Sequence, residues 1–188
     1  MTYGSVGASG WVRGPSVRNP GAAVVMCLIG LSSGFYHATL TFLGQYLDVM
    51  SMYVLGALLI CGALWRRGSL SESTALALFV GMLVVLGVAQ YVEPELRRVL
   101  FALVLVPGIA LEATGRVHGV APPDRRLAPL RWGILLMVLG YGCWLLDQHD
   151  VLCWPHSLVQ GHAAWHTLTA LSAVLLVAHY ARTPRPDA

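Results

Sequence analysis

The sequence predicts an all-α protein, a polytopic bundle of about six transmembrane helices. Of its 188 residues, 56% are hydrophobic and 11% are charged, whereas a soluble domain carries about 25% charged residues. The apolar residues form runs of about 20, the length that crosses about 30 Å of hydrocarbon as a helix. All 12 basic residues are Arg, and they lie in short clusters between these runs. Such clusters are typical of loops that set membrane topology, and they argue against a nucleic-acid partner.

Six apolar segments are predicted to span the membrane as helices, because none shows the period-two alternation of a barrel strand. The first three contain no charged residue except Asp48, at the start of the second. The fourth is short and interrupted by Pro107, the fifth contains Arg131 near its start, and the sixth is polar at its start and apolar later. The predicted ranges are 21–43, 47–65, 73–91, 99–113, 127–146 and 157–180.

The distribution of Arg predicts how these spans are oriented. Ten Arg fall on the side that holds both termini, and only Arg97 and Arg98 fall on the other side. The positive-inside rule then places both termini in the cytoplasm. We therefore divide the chain into a polar cytoplasmic segment 1–20, a membrane domain 21–181 and a cytoplasmic tail 182–188. The absence of Lys and the abundance of Arg, Ala, Val and Leu suggest a bacterial cytoplasmic membrane.

Five polar side chains within the spans need an explanation, because a charged group at the centre of a membrane helix costs roughly 2.5 to 3.5 kcal/mol on insertion scales. Ser33 and His37 are four residues apart in the first span, as are His162 and His166 in the sixth. Each pair therefore shares one helical face. Asp48 is expected to reach the same depth through a turn near residues 43–45. Three imidazoles, one carboxylate and one hydroxyl then predict an open tetrahedral zinc site in the outer half of the membrane.

The other polar residues have simpler interpretations. Asp147, at the outer end of the fifth span, is either solvated at the interface or hydrogen-bonded to a zinc-bound His, and the sequence leaves both open. Arg66 and Arg67 are interpreted as topology charges. The four cysteines include no CxxC pair, so neither a disulfide framework nor a thiolate metal site is predicted. Hydrogen bonding between helices or at their ends accounts for the histidines at positions 118, 149, 156 and 179.

Three segments carry the most specific motifs of the chain: SSGFYHATLTFLGQYLD at 32–48, CWLLDQHDVLC at 143–153 and GHAAWH at 161–166. Together they closely resemble the alkaline ceramidase family, one of a group of seven-span membrane hydrolases. The resemblance covers most of the chain and implies a zinc-dependent hydrolase that cleaves the amide bond of ceramide or a related N-acyl lipid. By position it implies zinc ligation by three histidines and catalysis by one hydroxyl and one carboxylate, namely His37, His162, His166, Ser33 and Asp48.

The N-terminal end of the chain departs from that family. The family has one more span and, before it, an acidic aromatic segment that resembles a calcium site and supplies a cysteine. Neither is found in residues 1–20. We therefore expect zinc but not calcium as the cofactor, and we expect Cys153, whose family partner lies in that segment, to be free.

Two alternative functions stay open at this point. One is a lipid esterase or phospholipase on the same scaffold, because the spans do not reveal the headgroup. The other is a non-enzymatic membrane protein, either a lipid-sensing receptor or a haem carrier, although haem would leave Ser33 and Asp48 unexplained. In the enzymatic interpretations the partner is a membrane lipid substrate, and no protein partner is predicted.

Overall fold

The computed structural model describes residues 20–114, 124–151 and 161–181, and all regular structure in these ranges is helical. A short 3₁₀ turn, Pro94–Leu96, precedes the fourth α-helix. Each α-helix coincides with one of the six predicted segments, so the all-α prediction is confirmed. The helices are α1 (Pro20–Thr39), α2 (Phe42–Arg66), α3 (Glu72–Val92), α4 (Arg97–Ala113), α5 (Asp124–Gln148) and α6 (Gly161–Ala181).

Three of the described helices are long and apolar enough to cross a membrane. They comprise Phe42–Arg66, Glu72–Val92 and Leu127–Gln148. Among the residues of α1 whose side chains are described, the apolar stretch is Val24–Thr39, and α4 contains Pro107. These helices support membrane association, whereas the cytoplasmic placement of both termini remains a prediction.

The chain divides into two compact units, the first containing α1 to α4 and the second containing α5 and α6. The proposed membrane domain 21–181 takes in helices of both units, and its limits remain predictions. Residues 1–19 and 182–188 lie outside the described residues, as do His118, Cys153 and His156. In the described part of the chain Cys27, Cys61 and Cys143 are free thiols.

Helix α2 is the centre of the first unit, because α1, α3 and α4 all pack against it. Half of the most apolar stretch of α2 is buried, whereas only 22% of the corresponding stretch of α3 is buried. Tyr53 is fully buried and packs with Leu86 of α3 and Val104 of α4. Its hydroxyl donates a hydrogen bond to the main-chain oxygen of Arg97 at 3.2 Å. The α2 helix therefore sets the positions of its three neighbours.

The chain reverses direction between α1 and α2 at Leu40 and Thr41. Leu40 has a φ of 49°, and the Thr41 side chain caps α2 by accepting a hydrogen bond from the Gly44 amide at 3.1 Å. The chain reversal was expected near residues 43–45 and lies instead at residues 40 and 41. That prediction is therefore wrong by about the length of one turn of helix. Gly44 lies inside α2, where it permits close packing against the end of α1. Asp48 lies beyond the first turn of α2.

Arg66 and Arg67 hold α2 to α4, although the sequence indicated only a role in topology. The Arg66 guanidinium forms an ion pair with Glu112, and the two side chains are only 7% and 5% exposed. Arg67 donates to the main-chain oxygen of Leu111 and to the Thr114 hydroxyl. A cation at the end of α4 also offsets the partial negative charge of the helix C-terminus.

The second unit is an antiparallel pair in which α6 packs closely on α5. The Ser172 hydroxyl of α6 donates to the main-chain oxygen of Gly133 at 2.7 Å. Further along, Trp165 and Leu168 pack against Gly140 of α5. The pair brings the first residue of α6 next to the end of α5.

Candidate active site

Helices α1 and α2 bring together three of the predicted site residues. The Ser33 hydroxyl donates a hydrogen bond to the Asp48 carboxylate. His37, one turn after Ser33, interacts electrostatically with the same carboxylate. The hydroxyl and imidazole share a helical face, as their spacing predicts, and the short turn at residues 40 and 41 brings Asp48 back to them. A carboxylate, a hydroxyl and an imidazole therefore meet within the first unit.

Two further contacts set the register of α1 against α2, and the sequence reasoning missed both. The Ser32 hydroxyl donates to that of Ser51 at 3.0 Å, and the Gln45 side-chain amide donates to the Tyr36 hydroxyl at 3.3 Å. Ser32 and Gln45 both occur in the segment 32–48 singled out above, so their place in that motif was the available signal. Spacing alone could not reveal their partners.

Gly44 lets these two helices approach at the turn. A Cβ at this position would lie 2.9 Å from the Cα of Tyr36 and 3.0 Å from the Thr39 hydroxyl oxygen. Real Cβ atoms do not approach backbone that closely, since protein interiors are already close-packed. The absence of a side chain at residue 44 therefore allows the end of α1 to lie against the start of α2.

The first turns of α6 hold the predicted imidazole pair. The Nε2 atoms of His162 and His166 lie 3.1 Å apart, with ring centroids at 4.7 Å and an interplanar angle of 79°. Two nitrogens bound at about 2.0 to 2.1 Å to one tetrahedral zinc ion are about 3.3 Å apart. The same separation suits a hydrogen bond in which one protonated Nε2 donates to an unprotonated one. The pair can therefore share either a proton or a metal ion.

Asp147 lies at the end of α5 against the start of α6. A Cβ on Gly161 would be 2.7 Å from the Cβ of Asp147 and 2.5 Å from the main-chain oxygen of Cys143. The carboxylate thus lies near the residue that precedes His162, and negative charge is favourable at a helix N-terminus. A hydrogen bond from a metal-binding His to Asp147 remains a prediction.

The donor chemistry of the second unit supports metal binding. Imidazole nitrogens are preferred zinc ligands, and His162 and His166 of α6 present two of them to each other. His37 belongs to the first unit and is exposed, whereas His162 and His166 belong to the second and are half-buried.

Comparison with known proteins assigns the family. The family model named Ceramidase matches residues 12–184. The chain belongs to the ceramidase family. This confirms the resemblance carried by the three motif segments. The matched range of the ceramidase model also includes all five predicted site residues, together with Gly44 and Ser51.

One ceramidase relative is the alkaline ceramidase YPC1 of Saccharomyces cerevisiae, which is 27% identical over 173 residues. The match covers 77% of this chain and 55% of the yeast protein. The chain therefore spans about half the length of this curated ceramidase. No solved structure matches the chain.

Proposed function

We propose that this ceramidase-family protein hydrolyses the amide bond of ceramide or a related N-acyl lipid, giving a long-chain amine and a fatty acid. The family assignment and the name of the yeast relative support the substrate class. The observation that carries the proposal is the Ser33 hydroxyl hydrogen-bonded to the Asp48 carboxylate beside His37. Membrane helices retain such groups chiefly for function, because burying them in lipid is costly.

We further propose that zinc is the cofactor and that its ligands are His37, His162 and His166. The 3.1 Å separation of the two Nε2 atoms in α6 fits two ligands of one tetrahedral ion. Three histidines leave the fourth position open, as in catalytic rather than structural zinc sites. When bound, zinc supplies a Lewis acid that polarises the amide carbonyl and makes water more acidic.

Asp48 acts as the general base and then as the general acid. Its carboxylate accepts a proton from the water molecule whose oxygen bonds to the amide carbon. It then delivers this proton to the nitrogen as the carbon–nitrogen bond breaks, so that one water is consumed for each amide cleaved. His37 interacts electrostatically with the Asp48 carboxylate. As a proposed zinc ligand, His37 keeps this carboxylate close to the reacting groups.

Ser33 stabilises the oxyanion. In the resting structure its hydroxyl donates to Asp48, and rotation about one bond is enough to redirect the donor. As the carbonyl oxygen gains negative charge, the hydroxyl donates to it instead. Removing one such donor typically costs about 10² to 10³ in kcat.

The decisive experiment measures release of fatty acid from defined lipids in vesicles that contain the purified protein. A long-chain ceramide and an ester with the same acyl chain are compared, and the wild type is compared with Asp48→Asn. We expect the wild type to cleave the amide and the variant to lose this activity while its fold and melting temperature are retained. Cleavage of the ester alone would indicate a lipid esterase. A folded, zinc-loaded wild type that cleaves neither lipid would overturn the enzymatic proposal.

A further inference from the structure

A second pair of serines links α1 and α2 beside the Ser33–Asp48 pair. The Ser32 hydroxyl donates to the Ser51 hydroxyl at 3.0 Å, and the Ser51 hydroxyl donates to the main-chain oxygen of Asp48 at 2.6 Å. Ser51 is only 7% exposed. A side chain from α1 is thereby connected through a buried hydroxyl to the backbone of the residue that carries the carboxylate.

The Ser32–Ser51 link has fewer hydroxyl protons than hydrogen-bond contacts. Ser32 also lies 2.6 Å from the main-chain oxygen of Leu28, one turn earlier in its own helix. The Ser32 hydroxyl also lies 3.3 Å from the main-chain oxygen of Ile29. Two hydroxyls carry two protons, and four contacts compete for them. Ser51 gives its own proton to the main-chain oxygen of Asp48. The contact between Ser32 and Ser51 is therefore a hydrogen bond only when Ser32 donates to Ser51 rather than to Leu28. Bonding to the carbonyl of the preceding turn is the ordinary state of a helical serine, so the Ser32–Ser51 hydrogen bond forms in place of the Ser32–Leu28 bond.

The geometry couples this link to the proposed site. Ser32 adjoins Ser33 in α1, and Ser51 lies one turn beyond Asp48 in α2. A slip of α1 along α2 by one residue moves a side chain by about 1.5 Å. Such a slip would break both the Ser32–Ser51 and the Ser33–Asp48 hydrogen bonds. The two links therefore require the same register of the helices.

We propose that Ser32 and Ser51 are positioning residues that hold Ser33 and Asp48 in register for hydrolysis. The inference rests on the proposed function and extends it to two residues that do not touch the substrate. Gly44 and the turn at residues 40 and 41 set the approach of the helices at one end. The serine link fixes their register about two turns further along α2, where Asp48 lies between the two constraints.

The test is a double-mutant cycle of Ser32→Ala, Ser51→Ala and the two together, with kcat, KM, zinc content and melting temperature measured for each. We expect each single change to lower kcat by about 10-fold to 100-fold, because misplacing catalytic groups by about 1 Å has an effect of this size. KM and zinc content stay as in the wild type. The double variant is no slower than the slower single variant, since both changes break one link. Ser51→Thr, which keeps the hydroxyl, restores most of the rate.

Ser172→Ala is the matched control, because Ser172 is also a buried serine whose hydroxyl joins two helices. We expect it to lower the melting temperature and leave kcat unchanged. An equal loss of kcat in this control would reduce the Ser51 effect to general destabilisation and overturn the inference. Wild-type kcat in Ser51→Ala would do the same while leaving the proposed function intact. Failure of the wild type to hydrolyse any lipid amide would instead reject the proposed function.

Discussion

The Ser33 hydroxyl of α1 donates a hydrogen bond to the Asp48 carboxylate of α2, across a turn of two residues. This relationship depends on the pairing of two helices and on the tight reversal between them. It gives the first unit a hydroxyl and a carboxylate that are both near His37.

Ser33→Ala tests the role of the hydroxyl. We expect the variant to fold and to keep its zinc, because Ser33 is not among the proposed ligands, while kcat for ceramide falls about 10² to 10³-fold through loss of an oxyanion donor. Steady-state kinetics and elemental mass spectrometry on the same preparation measure both quantities. Ser73→Ala removes an exposed hydroxyl near the start of α3 and should match the wild type. Loss of zinc in Ser33→Ala would contradict the assigned role.

His162→Ala tests the metal site. One tetrahedral zinc ion for each chain is expected in the wild type, because three imidazoles and one open position complete its coordination. The variant is expected to retain no zinc and to lose ceramide hydrolysis. His149→Ala is the control, since His149 is exposed and lies just after α5, and it should keep both properties. A well-folded wild type purified without any transition metal would refute the proposed ligand set.

Gly44→Ala tests the close approach at the turn. Its Cβ would lie 2.9 Å from the Cα of Tyr36, so the helices must separate, and overpacking of this kind typically costs about 1 to 3 kcal/mol. We expect a lower melting temperature in detergent and weaker activity, because the displacement moves Asp48 relative to Ser33. Gly81→Ala in α3 meets no atom within 4 Å and should be neutral or slightly stabilising, since Ala favours helices over Gly. Equal melting temperatures for the two variants would argue against a packing role for Gly44.

Glu112→Ala tests the ion pair that joins α2 to α4. The Arg66 and Glu112 side chains are only 7% and 5% exposed, and removing one partner of a buried ion pair typically costs about 3 to 5 kcal/mol. Thermal unfolding in detergent should show a large decrease in stability. Glu95→Ala removes an ion pair with Arg97 in which Glu95 is 83% exposed, and exposed pairs contribute at most about 1 kcal/mol. A small effect of Glu112→Ala, comparable to that of Glu95→Ala, would show that the buried pair contributes little.

Much of the helical organisation could be predicted from the sequence, because membrane insertion leaves a strong local signal. Each predicted segment corresponds to a helix, and the ends agree closely except at the start of α6, described from Gly161, and where α1 stops at Thr39 and α2 starts at Phe42. That difference has a local cause. Thr41 provides the helix cap, and Gly44, taken to mark the turn, instead allows two backbones to pack together.

Part of the candidate site could also be predicted from residue order. The spacing of Ser33 from His37 and of His162 from His166 places each pair on one face of a helix, since a helix turns once in 3.6 residues. The 3.1 Å approach of the two imidazoles agrees with that expectation. The supporting serine at position 51 was not predictable, because an isolated serine in an apolar segment gives no sign of its partner on another helix.

The sequence by itself determined the helical fold class, the apolar lengths and the two pairs of side chains that share a helical face, because each of these depends on residues close together in the chain. Only the tertiary structure decided that Ser33 bonds to Asp48, that Ser32 reaches Ser51 and that Arg66 is neutralised by Glu112. These contacts join residues from different helices, so they depend on helix register. Register is set by close packing and by pairing of buried polar groups, which residue order alone does not specify.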